Sequence, residues 1–352
     1  MFQLRFGVNT KPVPEFPNFG TKFKKGNFRC AKVMVINMAR EVPIFIFNGL
    51  LESGKTTMIA RFLQNPQITD DKRVLLVFCE EGMEEIEDAL LVQKHVSTVI
   101  LEDESDYGPA LFADLEKKYT PDLVVIEFNG MWRGTLPVET MYPAGWQLVE
   151  IMTTVDSTTF EAYSKNLRAI MIEHYKIADI VVFNRFTDEM DKFGFRSLVK
   201  AANMNIQVVY EYADGHIDAS FDASPFDLTQ DEIDIPDNDF GAFYFDVMDH
   251  AGKYDGKIVN IRALVVKLQG TKMPGFLVGR FAMTCCENDI QFLSVYCQNS
   301  MKFKNKAWYH VRAKVVCVDA AIYGEPSGEL LPALEVLDMK PADKPEQEVV
   351  TF

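Results

Sequence analysis

The chain has 352 residues, of which 48% are hydrophobic and 25% charged, and its formal net charge at pH 7 is −15. This length and apolar content are typical of a globular protein with two domains, and no window approaches eighteen uninterrupted apolar residues, so no membrane span is predicted. The acidity argues against a nucleic-acid partner, because phosphate backbones are bound by basic faces.

The N-terminal segment and the cysteines give two further expectations. Residues 1–37 combine basic side chains and prolines with little periodicity, and we interpret them as a disordered or non-native extension; an edge strand over residues 31–37 is the alternative. The six cysteines, at positions 30, 79, 285, 286, 297 and 317, lack the spacing of a small disulfide framework. No secretory signal precedes them, so a cytoplasmic protein is predicted.

Residues 43–61, PIFIFNGLLESGKTTMIAR, join an apolar run to a glycine-rich turn and a helix-compatible segment. Gly49, Gly54, Lys55 and Thr56 satisfy G-x-x-x-x-G-K-[ST], in which the glycines let backbone N–H groups face phosphate oxygens. Lys55 would reach the β- and γ-phosphates, and the Thr56 hydroxyl would bind Mg²⁺. A surface turn between strand and helix is the alternative. The predicted nucleotide-binding residues here are Gly49, Glu52, Ser53, Gly54, Lys55, Thr56 and Thr57.

Strands and helices alternate from residue 38 to residue 210, the pattern of βα units with a parallel sheet. Candidate strands lie at residues 43–48, 73–79, 97–101, 122–127, 149–155, 179–184 and 206–210. Candidate helices lie at residues 55–64, 83–94, 109–119, 158–176 and 189–203. The prediction is a three-layer α/β sandwich of the P-loop NTPase type with a mostly parallel sheet.

Residues 211–240 contain ten acidic residues and no lysine or arginine, which favours a linker. Runs rich in β-forming residues follow at 257–268, 276–284, 290–297, 307–318 and 333–339. Their spacing predicts a small all-β barrel of five strands over residues 241–352.

Polar groups follow three of the predicted strands, at the sheet edge where a P-loop protein binds its nucleotide. Glu127, with Gly130 three residues later, could hold Mg²⁺ or orient water while a backbone N–H approaches the γ-phosphate. Asn184 and Asp188 could bind the base, the aspartate accepting from guanine N1 and N2. Lys55 and Glu127 are the predicted catalytic residues.

These motifs resemble the CobW-type metallochaperone GTPases, a P-loop family that includes nickel-insertion helpers. The resemblance covers about 38–210 and rests on NGLLESGKTT, on the E-x-x-G of residues 127–130 and on Val155-Asp156. Two departures stand out. Cys79-Glu80-Glu81 replaces the family's C-x-C-C, and residues 184–188, NRFTD, replace its N-K-x-D with one residue more. Residues 241–352 are similar to a small OB-like domain of bacterial proteins associated with a permease, which implies no known reaction.

Two metal sites are candidates. Cys79 with Glu80 and Glu81, and with Glu84 and Glu85 further on, could bind a transition metal; a solvated helix start is the alternative. Cys285, Cys286 and Asp289 could bind zinc, with Cys297 or Cys317 from neighbouring strands. Because adjacent strand residues point to opposite faces, the alternative there is one buried and one exposed thiol.

The expected function is a Mg²⁺-dependent GTPase that couples GTP hydrolysis to delivery of a divalent metal, zinc being preferred, into a client. The barrel would bind the client metalloprotein or a permease subunit, and a homodimer is left open. Two other classes remain open. One is an ATP-using enzyme, kinase-like or a maturation factor. The other is a nucleotide-binding regulatory scaffold associated with a membrane permease.

Overall fold

The structure is a computed structural model that describes residues 41–80, 82, 86–132, 141–219, 224–268, 275–284, 289–298, 301–323, 328 and 330–352. The predictions for residues 1–37 and for residues 31–37 therefore lie outside the described part. The chain forms two compact units. The first comprises the described residues up to Ala162, Ala178–Thr187 and the described part of 207–220. The second comprises Tyr163–Ile177, Asp188–Ile206 and the described residues from 224 onward.

The first unit is built on a sheet of eight strands within the described residues, in the order β3-β2-β4-β1-β5-β6-β7-β8. The strands are β1 Val42–Asn48, β2 Val74–Phe78, β3 Val96–Ile100, β4 Leu123–Glu127, β5 Trp146–Asp156, β6 Ile180–Phe186, β7 Gln207–Tyr212 and β8 Ile217–Asp218. All neighbours pair parallel except β7 and β8. The predicted P-loop type of sheet, with mostly parallel strands, is confirmed.

Strand β2 and the part of β4 that precedes Glu127 are apolar, as expected where both faces of a sheet are covered. Val124, Val125 and Ile126 of β4 are fully buried, as are Leu75 and Leu76 of β2. The helices whose bounds fall wholly in this unit are α1 Lys55–Gln64, α2 Pro66–Thr69, α3 Asp88–Gln93 and α4 Pro109–Tyr119. The predicted bounds of α1 and α4 coincide with the observed ones.

Helix α1 begins directly after the glycine-rich turn and packs through one face. Met58, Ile59, Phe62 and Leu63 are its buried apolar residues, and they join the core that also holds Phe47 of β1. Successive members of this set are one, three and one positions apart along the chain, which places the four side chains on one side of a helix. Core packing therefore fixes α1 against the sheet, with its N-terminus at the end of β1.

The helix predicted over residues 158–176 is wrong in one respect, because it is two helices, α5 Phe160–Asn166 and α6 Arg168–Ile177. The interruption falls at Leu167, whose carbonyl accepts from Ile170 N at 3.0 Å. The Arg168 guanidinium donates from Nε to the carbonyl of Thr284 at 2.5 Å and also reaches the main-chain oxygen of Phe352. These long-range bonds coincide with the interruption, and no local sequence pattern indicates them.

The second unit is built on a β-sheet with the strands β9 Glu232–Asp234, β10 Ile258–Lys267, β11 Phe276–Met283, β12 Gln291–Cys297, β13 Ala307–Asp319, β14 Leu330–Pro341 and β15 Val349–Thr351. Their order among the described residues is β15-β11-β12-β14-β13-β10-β9, and β10 also pairs with β11. Strands β10, β11, β12, β14 and β13 thus close into a ring. The predicted five-stranded all-β barrel is confirmed, with β9 and β15 added at its borders; its OB-like character stays a prediction.

The barrel core follows the alternation of its strands. Val259, Ile261, Ala263 and Val265 of β10 are buried while their neighbours are partly exposed, as expected for a strand with one inward face. Four α-helices lie wholly within the described part of this unit: α6, given above, and α7 Lys192–Ala202, α8 Phe240–Asp249 and α9 Ala251–Tyr254. No helix in the described part of the chain has the length and hydropathy needed to span a bilayer.

The predicted domain limits at 37, 210 and 240 stay predictions. Within 211–240, predicted as an acidic linker, the structure places the last residues of β7, then β8 and β9. Ile233 and Ile235 from this segment are buried in the barrel core. Acidic composition here accompanies ordered strands, because the apolar residues between the acids supply the buried contacts.

Candidate nucleotide-binding site

The turn between β1 and α1 is held open by its glycines. Gly49 has φ +142, and a Cβ there would lie 2.5 Å from both Ser53 Oγ and the Thr154 carbonyl oxygen. Gly54, with φ +92, caps α1 in the left-handed region. Ser53 Oγ and Thr154 Oγ1 are 2.8 Å apart, which ties the turn to β5. The loop can follow this path only because both positions lack a side chain.

Lys55 lies inside this turn. Its Nζ donates to the carbonyl oxygens of Gly49 and Leu50, both at 2.9 Å, and forms an ion pair with the Glu80 carboxylate. Lys55 is 2% exposed and the Glu80 side chain 8%. The ammonium group is thus held at the centre of the loop, where a β- or γ-phosphate would be neutralised.

Thr56 and Glu127 meet at the same edge of the sheet. Thr56 Oγ1 donates to Glu127 Oε1 at 2.8 Å, and Glu127 is buried at the end of β4. The register explains the meeting, since Glu127 is the partner of both Phe47 at the end of β1 and Phe78 at the end of β2. A hydroxyl beside a carboxylate is the oxygen donor set that Mg²⁺ prefers, so the residues fit that ion.

Several buried polar atoms at this edge have no hydrogen-bond partner among the described residues. They are Asn48 Nδ2 and Oδ1, Thr153 Oγ1, Ser157 Oγ and Asn184 Oδ1. Asn48 precedes the P-loop and is the register partner of Thr153. Buried polar groups are normally bonded, and exceptions need an explanation. A polar ligand bound at this edge would explain these atoms, because it would provide their hydrogen-bond partners.

Asn184 and Arg185 lie at a β6 irregularity, where the register with β7 shifts and Arg185 has φ +53. Asn184 Nδ2 donates to the Ser53 carbonyl at 2.6 Å, so this amide holds the P-loop. Arg185 Nη1 bonds Asp156 Oδ2 at 2.6 Å. Asp188, the predicted reader of guanine, is exposed in the turn that follows and belongs to the second unit.

A cleft of about 150 Å³ lies next to the P-loop. One wall is the start of α1, with Gly54, Thr57, Met58 and Arg61, and the other is formed by β6 and β7 with the turn after β7. Glu211 of β7 is 6% exposed, and its carboxylate is ion-paired with Arg61. The cleft is therefore bounded by the loop that would hold the phosphates and by a buried carboxylate.

The loop after β4 starts with Phe128, whose N–H bonds the Phe47 carbonyl at 2.8 Å. Asn129 Oδ1 accepts from Met131 N at 2.9 Å, and Gly130 is buried. Trp132 packs edge-on against Phe128, with ring centroids 5.7 Å apart. The predicted phosphate-facing Gly130 thus lies in a turn anchored by an aromatic contact.

The first candidate metal site is only partly within the described residues, since Glu81, Glu84 and Glu85 lie outside them. Cys79 is 1% exposed, and burial raises the pKa of its thiol well above the usual range, with the backbone N–H of Asn129 opposing this shift. The Glu80 carboxylate is committed to Lys55. Within the described ranges, no group of three or more His, Cys, Asp or Glu side chains is placed to hold a metal ion. The prediction of a metal at Cys79, Glu80 and Glu81 stays a prediction.

The second candidate metal site is also only partly described, because Cys285 and Cys286 lie outside the described residues. Asp289 Oδ1 accepts from Thr284 N at 3.0 Å. Cys297 is fully buried in the barrel core, where desolvation raises the pKa of its thiol. Cys317, partly exposed on β13, has the pKa of its thiol raised by partial burial and by the nearby Asp255 carboxylate. The zinc prediction for Cys285, Cys286 and Asp289 also stays a prediction.

A glycine-rich loop between a strand and a helix, a buried lysine inside it and a Thr–Glu pair at the carboxyl edge of a parallel sheet define a P-loop nucleotide-binding domain. Residues 43–209 match the family described as CobW/HypB/UreG, nucleotide-binding domain. This domain therefore belongs to the CobW/HypB/UreG-type GTPase family, as its motifs predicted. Residues 217–350 match the DUF1980 C-terminal domain. No curated protein matches the chain.

Solved structures that are similar to this chain include the following three. The hydrogenase maturation factor HypB from Archaeoglobus fulgidus is 16% identical with TM-score 0.36, covering 50% of this chain and 84% of its own. The Zn(II)-bound YjiA GTPase from E. coli is 14% identical with TM-score 0.37, covering 76% and 90%. HypB from Helicobacter pylori in complex with nickel is 13% identical with TM-score 0.33, covering 50% and 81%. The assignment rests on the family match and the motifs.

Two features of the site were missed from the sequence. One is the pairing of Glu80 with Lys55, since Glu80 was assigned only to a metal site. The other is the Arg61–Glu211 pair in the cleft. The rule that polar residues at strand ends line the site could have included Glu211, but the predicted strand stopped at residue 210 and the acid was assigned to a linker.

Proposed function

We propose that this protein is a Mg²⁺-dependent GTPase whose nucleotide cycle drives the delivery of a divalent metal, with zinc preferred, into a client. The barrel would bind the client or a permease subunit, and the cycle would run in the cytoplasm. The observation that carries the enzymatic part is the constellation of Lys55, Thr56 and Glu127 around an open glycine turn. The metal part is supported by the family to which the domain belongs.

Each residue has a defined task in this mechanism. Lys55 would exchange its bonds to the loop carbonyls and to Glu80 for phosphate oxygens and offset their charge, assisted by the loop N–H groups and the start of α1. Thr56 and Glu127 would hold Mg²⁺, which supplies charge neutralisation across the β- and γ-phosphates when bound. Glu127 or its hydrogen-bonded water would orient the attacking water, and no covalent intermediate forms.

Turnover by the protein alone should be slow, because the mechanism proposed for the described part of the site includes no arginine that stabilises the charge developing on the γ-phosphate. P-loop GTPases without such a group hydrolyse GTP at rates on the order of 10⁻⁴ per second. A client or partner that completes the site would then accelerate it, which is how hydrolysis can be tied to delivery.

The nucleotide claim is tested by calorimetry with GTP and ATP, each with Mg²⁺ and with chelator, followed by a phosphate-release assay. We expect GTP to bind more tightly than ATP and phosphate to be released slowly. A preference for ATP would favour the ATP-using enzyme, and binding without phosphate release would favour the regulatory scaffold. Absence of binding by either nucleotide would refute the proposal.

The metal claim is tested by titrating zinc into the GTP-analogue and GDP forms of the wild type and of Cys79→Ser. Cys285 and Cys286 are replaced in both proteins, so that they do not contribute. We expect zinc to bind more tightly in one nucleotide state and this difference to vanish in Cys79→Ser. Equal zinc affinity in both states, or affinity that survives the loss of Cys79, would remove the nucleotide-linked site.

A further inference from the structure

The cleft beside the P-loop carries a carboxylate that the function described so far does not use. Glu211 is 6% exposed on the last part of β7, and Arg61 of α1 is ion-paired with it across the cleft. Drug-sized ligands occupy pockets of roughly 300–1,000 Å³. A cleft of about 150 Å³ therefore suits a single ring system.

Of the two side chains predicted to read the base, Asn184 holds the P-loop and Asp188 does not line this cleft. Asn184 uses its Nδ2 to hold the Ser53 carbonyl, at 2.6 Å. Its Oδ1 is buried and has no hydrogen-bond partner among the described residues, although Asn184 lines the cleft. Asp188 is exposed and does not line the cleft, whereas Glu211 is buried and lines it.

The Arg61–Glu211 pair matches the chemistry of guanine. A carboxylate only accepts and a guanidinium only donates hydrogen bonds. Guanine offers donors at N1 and N2 and acceptors at O6 and N7, whereas adenine offers an N6 donor where guanine has O6. A buried carboxylate beside adenine N1 would face an acceptor, which leaves a buried charge unpaired.

We infer that Glu211 is the residue that selects guanine, accepting hydrogen bonds from N1–H and N2–H, while Arg61 turns from Glu211 to the O6 and N7 edge. This inference rests on the proposed GTP binding and specifies its base-reading group. In the absence of nucleotide, Arg61 and Glu211 satisfy one another, so the cleft carries no unpaired charge. The bound base takes the place of that pair.

The test compares GDP, IDP, XDP and ADP by calorimetry in the wild type, Glu211→Gln, Asp188→Asn and Arg61→Gln. Inosine lacks the 2-amino group, and xanthine carries an oxygen there. In the wild type, IDP should bind about 10- to 100-fold more weakly than GDP, the effect of one bond to a charged group. Glu211→Gln should lose GDP affinity to a similar extent and gain XDP affinity, because its amide N–H can donate to the xanthine oxygen. Asp188→Asn tests the alternative reader of the base and should change neither the GDP affinity nor the XDP affinity.

Gain of XDP binding shows that Glu211→Gln is folded and has changed its preference. If Glu211→Gln keeps the wild-type order of nucleotides, or if Asp188→Asn acquires the XDP preference, the inference is overturned while GTP binding stands. Arg61→Gln provides a second test at a side chain that is 40% exposed. This variant should bind GDP several-fold more weakly and keep the wild-type ratio of GDP affinity to IDP affinity. Unchanged GDP affinity would contradict the assignment of Arg61. Failure of the wild type to bind any guanine nucleotide would instead refute the proposed function as well.

Discussion

Replacing Lys55 with alanine should do more than remove a phosphate ligand. Lys55 and Glu80 are buried together, with the lysine 2% and the Glu80 side chain 8% exposed. The Lys55 ammonium also bonds the carbonyls of Gly49 and Leu50 at 2.9 Å. In Lys55→Ala the Glu80 carboxylate loses its counter-charge and stays near the carbonyl oxygens that shared the ammonium. The variant therefore contains a buried, uncompensated negative charge.

The size of the effect follows from this arrangement. Breaking a buried ion pair by removing one partner costs about 3 to 5 kcal/mol, because the remaining charge keeps its desolvation penalty. Domains of ordinary stability unfold with about 5 to 15 kcal/mol, so the loss is a large fraction of the total. Lys55→Ala/Glu80→Ala removes both charges, and we expect it to be at least about 2 kcal/mol more stable than Lys55→Ala.

The assay is urea unfolding of the nucleotide-free protein as a double-mutant cycle. A Trp308→Phe background leaves Trp132 and Trp146, both in the first unit, as the fluorescent reporters. A loss below about 1 kcal/mol in Lys55→Ala, or an equal loss with and without Glu80, would refute the reasoning.

The exposed ion pair between Lys117 and Asp114, at 3.3 Å on α4, provides the control. Because solvent screens such a pair, Lys117→Ala should leave the unfolding curve unchanged. A comparable loss in this variant would show that the assay responds to charge in general. Binding experiments on Lys55 variants should accordingly use the double variant, which we expect to keep its fold.

Three further predictions concern the P-loop, the proposed magnesium site and the sheet. Gly49→Ala should abolish GTP binding by calorimetry, because its Cβ would lie 2.5 Å from two neighbouring oxygens; unchanged affinity would contradict the loop geometry. Thr56→Val removes the hydroxyl that bonds Glu127 and should lower GTP affinity about tenfold in Mg²⁺ but not in chelator. In Glu150, desolvation first and then the charge of Asp179 raise the pKa from 4.5 to about 7. The folded state favours the protonated acid, so stability should fall between pH 4.5 and 7, and Glu150→Gln should be up to about 3 kcal/mol more stable than wild type at pH 8 in urea unfolding.

Local patterns were sufficient wherever the signal lies in neighbouring residues. The bounds of α1 and α4 were predicted correctly because a glycine turn precedes one and Pro109 begins the other. The parallel sheet followed from apolar runs alternating with helical periodicity. Barrel strands such as β10 followed from runs rich in β-forming residues.

Contacts set by strand register were not predictable in the same way. Glu80 and Glu211 are acids whose sequence surroundings favour a helix start and a linker. Their partners, Lys55 and Arg61, lie 25 and 150 positions away along the chain. Only the order β2-β4-β1 and the placement of β7 bring these charges together. Asn184 was recognised as a polar strand-end residue, but its bond to Ser53 depends on the β6 irregularity, which no local pattern indicates.

We expect Glu80 to couple the two ligands of the proposed cycle. It ion-pairs with Lys55 and directly follows Cys79 along the chain. A zinc ion that took the Glu80 carboxylate would release Lys55 for phosphate, and a phosphate that took Lys55 would release Glu80 for zinc. Each ligand thus removes the contact that competes with the other, so the coupling should be favourable and, by linkage, equal in both directions. Glu80→Gln should abolish it, leaving GTP affinity independent of zinc in calorimetry. Coupling that persists in Glu80→Gln would place the connection between metal and nucleotide elsewhere.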